Sequence, residues 1–101
     1  MTAHSSAITR KDFKWLITVI DGDPIIRMMP ESNGTFRVTL VVPFSCPSLF
    51  PSGKLVPRLR NGKEISLCRF TPEYEAKKTF NYFKSLLELE KYNTARTRWH
   101  K

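Results

Sequence analysis

Apolar and polar residues alternate most cleanly between Thr35 and Val42. Phe36, Val38, Leu40 and Val42 fall on one side, and Arg37, Thr39 and Val41 on the other. An extended chain points successive side chains to opposite faces, so this pattern predicts a strand with one buried face. Phe13, Trp15, Ile17 and Val19 alternate too, in a run rich in β-branched and aromatic residues, which predicts a strand over 13–20. A short helix is the alternative there, because Leu16, Ile17 and Ile20 also lie at helical spacing. Asp21-Gly22-Asp23-Pro24 ends the element with turn chemistry. Ile25 to Met29 is a short apolar run and predicts another strand. Asn33-Gly34, with its type I′ preference, would turn that strand into the next.

Pro43, Pro47, Pro51 and Pro57 then punctuate the chain. Ser45 to Gly53 reads as a loop, because proline donates no hydrogen bond and cannot sit in a central strand. Leu55–Leu59 and Glu64–Phe70 flank Asn61-Gly62 and predict a second hairpin, with Pro57 placing its first arm on a sheet edge. The last element is a helix. Thr71 is its expected N-cap, Pro72 suits the first helical position, and Glu73 and Glu75 sit at the positive end of the dipole. Ala76, Thr79, Phe80, Phe83, Leu86 and Leu87 form its apolar stripe, which Glu90 interrupts. Lys77, Asn81, Lys84, Glu88 and Lys91 fall on the solvated side, and the helix should fade near Tyr92-Asn93.

The expected fold is therefore α+β: an antiparallel sheet of four to five strands with one C-terminal amphipathic helix packed on one face. Residues 1–9 read as a flexible tail, 10–93 as a single domain and 94–101 as a basic tail. A chain of 101 residues with 41% apolar content supports one modest core. No stretch reaches the roughly 20 apolar residues needed to cross a bilayer, so no membrane partner is expected. Met1 to Thr9 is polar and lacks the apolar core of a secretory signal, which points to a reducing, intracellular setting, cytoplasmic or nuclear. Cys46 and Cys68 are then expected as free thiols, with a disulfide between them as the alternative. Asn33-Gly34-Thr35 matches a glycosylation sequon but reads better as the turn.

Charge changes this picture most. The formal net charge is +8. Between Ser32 and Lys63 there is no acid, while Arg37, Lys54, Arg58, Arg60 and Lys63 are basic. A patch of one sign attracts phosphate backbones or other anions. Lys77, Lys78 and Lys84 on a rigid helix could clamp phosphates, and an ordinary solvated helix face is the plain alternative. Lys54, Arg58, Arg60 and Lys63 around Asn61-Gly62 could reach a groove, or could simply protect a sheet edge. Arg96 and Arg98 add charge near the C-terminus.

Asn33 to Pro47 resembles the strand region of the Dicer dimerisation domain, whose form F-x-x-T-L-x-x-P is met here by Phe36, Thr39, Leu40 and Pro43, with Pro47 as the later proline. That domain is a variant of the double-stranded RNA-binding fold, in which an N-terminal helix precedes the strands and an amphipathic C-terminal helix carries lysines near its start. The resemblance covers about 15 of the 101 residues and implies nucleic-acid or protein contacts. The chain departs from it in the Ser48–Phe70 insertion, in the aromatics Phe80, Tyr82 and Phe83 of its helix, and in the placing of Lys77-Lys78 after Ala76. There is no Gly-Pro-x-His loop, and His4 and His100 lie in the tails.

Enzyme chemistry finds little support. Asp21 and Asp23 belong to a turn, no histidine lies in the body, and Ser45 and Cys46 lack a partner in sequence. Neither a glycine-rich phosphate loop nor metal-ligand spacing occurs, so no catalytic residue, metal or cofactor is expected. The expected function is non-catalytic nucleic-acid binding, RNA first and double-stranded RNA above other forms, through phosphate and shape. The alternative is a protein-interaction or dimerisation module, of the kind small viral inhibitors of cellular machines use, acting through a sheet edge or through Phe44, Leu49 and Phe50 of the Pro43–Pro51 loop.

Overall fold

The structure is a computed structural model that describes residues 8–20, 22–42 and 46–99, with side chains up to residue 92. The chain runs α1 (Arg10–Val19), β1 (Ile25–Pro30), a 3-10 turn at Ser32–Gly34, β2 (Thr35–Val41), β3 (Glu64–Pro72) and α2 (Glu73–Trp99). The strands form one antiparallel sheet in the order β1-β2-β3. The α+β class stands, but the expected architecture does not. Among the described residues there are three strands rather than four or five, and two helices rather than one.

The first correction is α1. Thr9 Oγ1 accepts the Asp12 N–H at 3.1 Å and so caps the helix. Phe13, Leu16 and Ile20 are buried, which is the one-sided spacing of a helix. A strand would have turned Val19 inward with Phe13, yet Val19 is exposed. Tertiary packing selects the helix, because the Phe13 ring meets Phe83 of α2 at 4.9 Å between centroids.

The second correction is the segment 55–59. Its hairpin with β3 forms only in part: Leu59 N–H donates to the Glu64 carbonyl and Ser66 N–H to the Pro57 carbonyl. Pro57 has no N–H to return, and the pairing dwindles to one bridge between Arg58 and Ile65. Pro57 does lie along the β3 edge, as expected.

The remaining differences are at the ends of α2. Thr71 and Pro72 extend β3 instead of opening the helix, and Thr71 Oγ1 donates to the Arg69 carbonyl at 2.9 Å. At the other end the helix continues through 94–99 to Trp99 rather than fading near Tyr92. At about 1.5 Å per residue, its 27 residues span roughly 40 Å.

β1 and β2 are joined through the expected turn, in which Asn33 (φ 56°) and Gly34 (φ 73°) both take the left-handed region. Val38, Leu40, Ile65 and Leu67 face a single core completed by Phe13, Leu16 and Ile20 of α1 and Ala76, Phe83, Leu86 and Leu87 of α2. Burying such side chains contributes about 1.5–3 kcal/mol each. Glu90 sits within this stripe, buried, with its carboxylate 3.8 Å from the Lys14 ammonium of α1. The helical stripe therefore continues past Leu87, with an ion pair to α1 in place of an apolar contact. Cys46 and Cys68 are free thiols, the first buried and the second half-buried.

Candidate nucleic-acid interface

Lys77, Lys84 and Lys91 recur at seven-residue intervals, so they line one flank of α2. Lys77 Nζ lies 3.5 Å from Glu73 one turn back. Lys84 lies 5.6 Å from the centre of the Phe80 ring and, with Lys91, lines a groove beside Pro24, Ile25 and Ile26 of the β1 edge. Lys78 is turned about 100° from Lys77 around the axis, and lies 5.1 Å from the Tyr74 ring centre. It shares a groove of about 780 Å³ with Ile8, Arg10, Tyr82 and Phe83. The helix bases thus divide between two flanks, and the structure adds Arg10 of α1 to the Lys78 side.

The hairpin bases stand apart from both. Asn61 Oδ1 accepts the N–H groups of Lys63 and Glu64 at 2.9 and 3.1 Å, which shapes the Asn61-Gly62 turn. Lys54, Arg60 and Lys63 are exposed. Arg58 is also exposed, and its Nη2 donates to the Cys46 carbonyl at 2.6 Å. Arg96 and Arg98 fall on the last turns of α2, where side chains lie outside the described residues. In the proline-rich loop, Phe44 lies outside the described residues, Leu49 is half exposed, and Phe50 is buried with its ring 6.1 Å from Trp15. Phe50 therefore anchors the loop to α1.

The sheet face turned away from the core holds a second set of arginines. Register places Arg27 opposite Thr39 and Met29 opposite Arg37, so Arg27 and Arg37 are diagonal neighbours. Next to Arg37, β3 carries irregular pairing with β2, and Phe70 there takes φ 51°. A bulky side chain rarely adopts that conformation. Glu31 holds it in place: one carboxylate oxygen accepts Phe70 N–H at 2.9 Å, the other accepts Arg69 Nε at 2.6 Å and lies 3.9 Å from Arg37. On the same face Glu64 is buried, accepting Thr39 Oγ1 at 2.7 Å and Asn61 Nδ2 at 2.6 Å. Those bonds, Thr39 first, and the positive potentials of Arg37 and Arg27 hold its carboxyl below the usual carboxylate range, against the opposing push of burial.

Together these contacts partition charge. Of the nine acids in the chain, Glu31, Glu64 and Glu90 are folded inward with side chains at most 8% exposed or residues at most 7% exposed. The bases paired with Glu31 and Glu90 stay partly accessible: Arg37, Arg69 and Lys14 keep 27, 39 and 53% of their side-chain surface.

Arg10, Arg27 and Arg69 were missed by sequence reasoning. The Asn33-Gly34 turn fixes the β1–β2 register, so Arg27 beside Arg37 was there to be found. The Glu31–Arg69 pairing spans 38 residues and depends on irregular pairing that no local pattern announces. Among the described residues no cluster of three or more His, Cys, Asp or Glu side chains could hold a metal, and no helix is long and apolar enough to cross a membrane. No protein-family model, curated protein or solved structure matches the chain.

Proposed function

We propose that the protein is a non-catalytic nucleic-acid-binding module whose preferred ligand is duplex RNA, held by phosphate and shape contacts. The charge partition carries this reading. Three carboxylates turn inward while the bases paired with Glu31 and Glu90 keep between 27 and 53% of their side-chain surface in solvent, so the surface that a polyanion meets is more basic than the composition alone conveys. The order of elements adds support, since an N-terminal helix, antiparallel strands and a C-terminal helix with early lysines is what the resemblance to double-stranded RNA-binding folds implies. Lysines on a rigid helix suit a ligand read through phosphates and 2′-hydroxyls rather than base edges.

Arg10 and Lys78, which face one groove from two helices, would grip one phosphate run, with Lys77 and Lys84 meeting the ligand from the neighbouring flank of α2. An amide-resolved NMR titration with an RNA duplex tests the placement. The largest shifts are expected in the first turn of α1 and in 77–84 of α2. Shifts confined to the hairpin or to the open sheet face would move the site, and no shifts at all would reject the reading.

The sheet edge supports a weaker second reading, as a protein-docking module. β1 pairs on one side only among the described residues, whereas β3 exchanges two hydrogen bonds with 57–59 on its far side, one accepted and one donated. Exposed Arg27 at mid-edge and Pro30 at its end discourage strand addition, which is why the RNA reading is preferred.

A further inference from the structure

Phe70 is held in a strained position that the core does not use. Its φ of 51° costs a bulky residue free energy, and the residue stays 59% exposed, so burial does not offset that cost. Glu31 fixes the distortion by accepting the Phe70 N–H, and the same carboxylate accepts Arg69 Nε. The Arg69 guanidinium lies 4.6 Å from the Phe70 ring centre, and its two terminal nitrogens make no hydrogen bond among the described residues. Both side chains line a cavity of about 260 Å³ where β3 passes into α2, together with Cys68, Glu75 and Thr79. Glu75 is exposed, and its carboxylate has neither an ion pair nor a hydrogen bond among the described residues. A ring, a guanidinium end and a carboxylate thus meet at one cavity.

We propose that this cavity takes one unpaired nucleotide of an RNA strand, with guanine as the preferred base. Each part of a nucleotide has its counterpart there. An aromatic face stacks on any base, so Phe70 supplies the platform. The two terminal nitrogens of Arg69 form the forked end that suits a phosphate. An ionised carboxylate only accepts hydrogen bonds, so Glu75 selects the base edge. Guanine presents two adjacent N–H donors on its pairing edge, at N1 and N2. Adenine and cytosine set an amine beside a bare ring nitrogen, and uracil flanks one N–H with carbonyls, so each meets the carboxylate with a repelling atom. That edge is free only in an unpaired nucleotide. Thr79 borders both this cavity and the groove of Arg10 and Lys78, so a strand leaving a duplex held there reaches it directly. The site's own chemistry does not rest on the duplex reading, since Arg10, Lys77, Lys78 and Lys84 take no part in it.

An amide-resolved NMR titration of the full chain tests it, with guanosine 5′-monophosphate, adenosine 5′-monophosphate and inorganic phosphate as probes and no duplex present. Guanosine monophosphate is expected to give saturable shifts at 68–72, Glu75 and Thr79. Adenosine monophosphate is expected to bind about tenfold more weakly, for want of the second donor, and inorganic phosphate more weakly than either. Glu75→Gln is expected to bring the two nucleotides to equal affinity, because an amide both donates and accepts. Phe70→Gly is expected to weaken guanosine monophosphate about tenfold or more. It should not lower the melting temperature, because glycine adopts a φ of 51° freely. No shifts around the cavity would overturn the proposal. So would equal affinity for guanosine monophosphate and inorganic phosphate, or a guanine preference that survives Glu75→Gln. Because no duplex is present, each of those results leaves the duplex reading to its own titration.

Discussion

The Asn61-Gly62 hairpin and the first half of α2 both present exposed bases, but they hold them differently. In the hairpin region polar groups are committed to the fold. Arg58 binds the Cys46 carbonyl, and Asn61 fixes both the turn and the buried Glu64 carboxylate. On α2 the lysines lean over tyrosine and phenylalanine rings or pair with an exposed glutamate one turn away. Exposed pairs of that kind contribute little to stability, about 0.3–0.5 kcal/mol. The difference separates Arg58, which shapes the chain, from the α2 lysines, which are available to a ligand, although composition counts them alike.

Reversing the charge at Lys77, Lys78 and Lys84 should have the largest effect. Affinity for duplex RNA is expected to fall about 100-fold or more as phosphate contacts become repulsive. Thermal unfolding should stay within a few degrees of wild type, and parallel binding and melting curves check both halves. A comparable loss of stability would erase the contrast with the hairpin.

Glu64→Ala comes next and reports on stability. It leaves the Thr39 hydroxyl and the Asn61 amide without their acceptor, a loss of about 2–3 kcal/mol measurable by urea unfolding. The same carboxylate gives a pH signature. Its folded-state pKa lies below its unfolded value, so its contribution is complete at neutral pH and is lost as pH falls through the folded pKa. Wild type is expected to weaken below about pH 4, and Glu64→Gln to show a flatter acid limb.

Arg58→Ala should cost about 1–2 kcal/mol by removing the charge-assisted hydrogen bond to the Cys46 carbonyl. Its effect on RNA affinity should stay under about threefold, as for one remote charge. A large binding defect at Arg58 with intact stability would invert the roles of the two regions. Thr9→Ala is the smallest change, about 1 kcal/mol from the lost helix cap. Because α1 holds Arg10 against the Lys78 groove, a slight weakening of RNA binding should accompany it.

How much was legible in sequence follows the same divide between local and distant causes. β2 was legible because its alternation is a property of neighbours, and the Asn33-Gly34 turn because only such residues accept its backbone. The α2 stripe was legible through Phe83, Leu86 and Leu87, although Glu90 looked like its end. Its burial depends on Lys14, which the chain supplies 76 residues earlier. α1 was misread because Phe13, Trp15, Ile17 and Val19 carry strand propensity, and only Phe83 and the Thr9 cap decide for helix. In the candidate site, the lysines of α2 were visible and correctly set on a helix. Their division between two flanks follows from the seven-residue spacing and could have been drawn. Arg10 could not be placed, since its position depends on how α1 docks. Nor could the inward turn of Glu31, because Arg69 reaches it only through the irregular β3.

The central claim is that the exposed bases of α2 and α1 take duplex RNA through its phosphates. Fluorescence anisotropy tests it most directly, with a labelled RNA duplex of about 20 base pairs, its single strand and the matching DNA duplex, each at about 50 and 200 mM salt. Micromolar or tighter binding that prefers duplex RNA and persists at the higher salt is the expected result. Weak binding, equal for all three probes and lost at the higher salt, would contradict the claim and leave the positive charge as a general field.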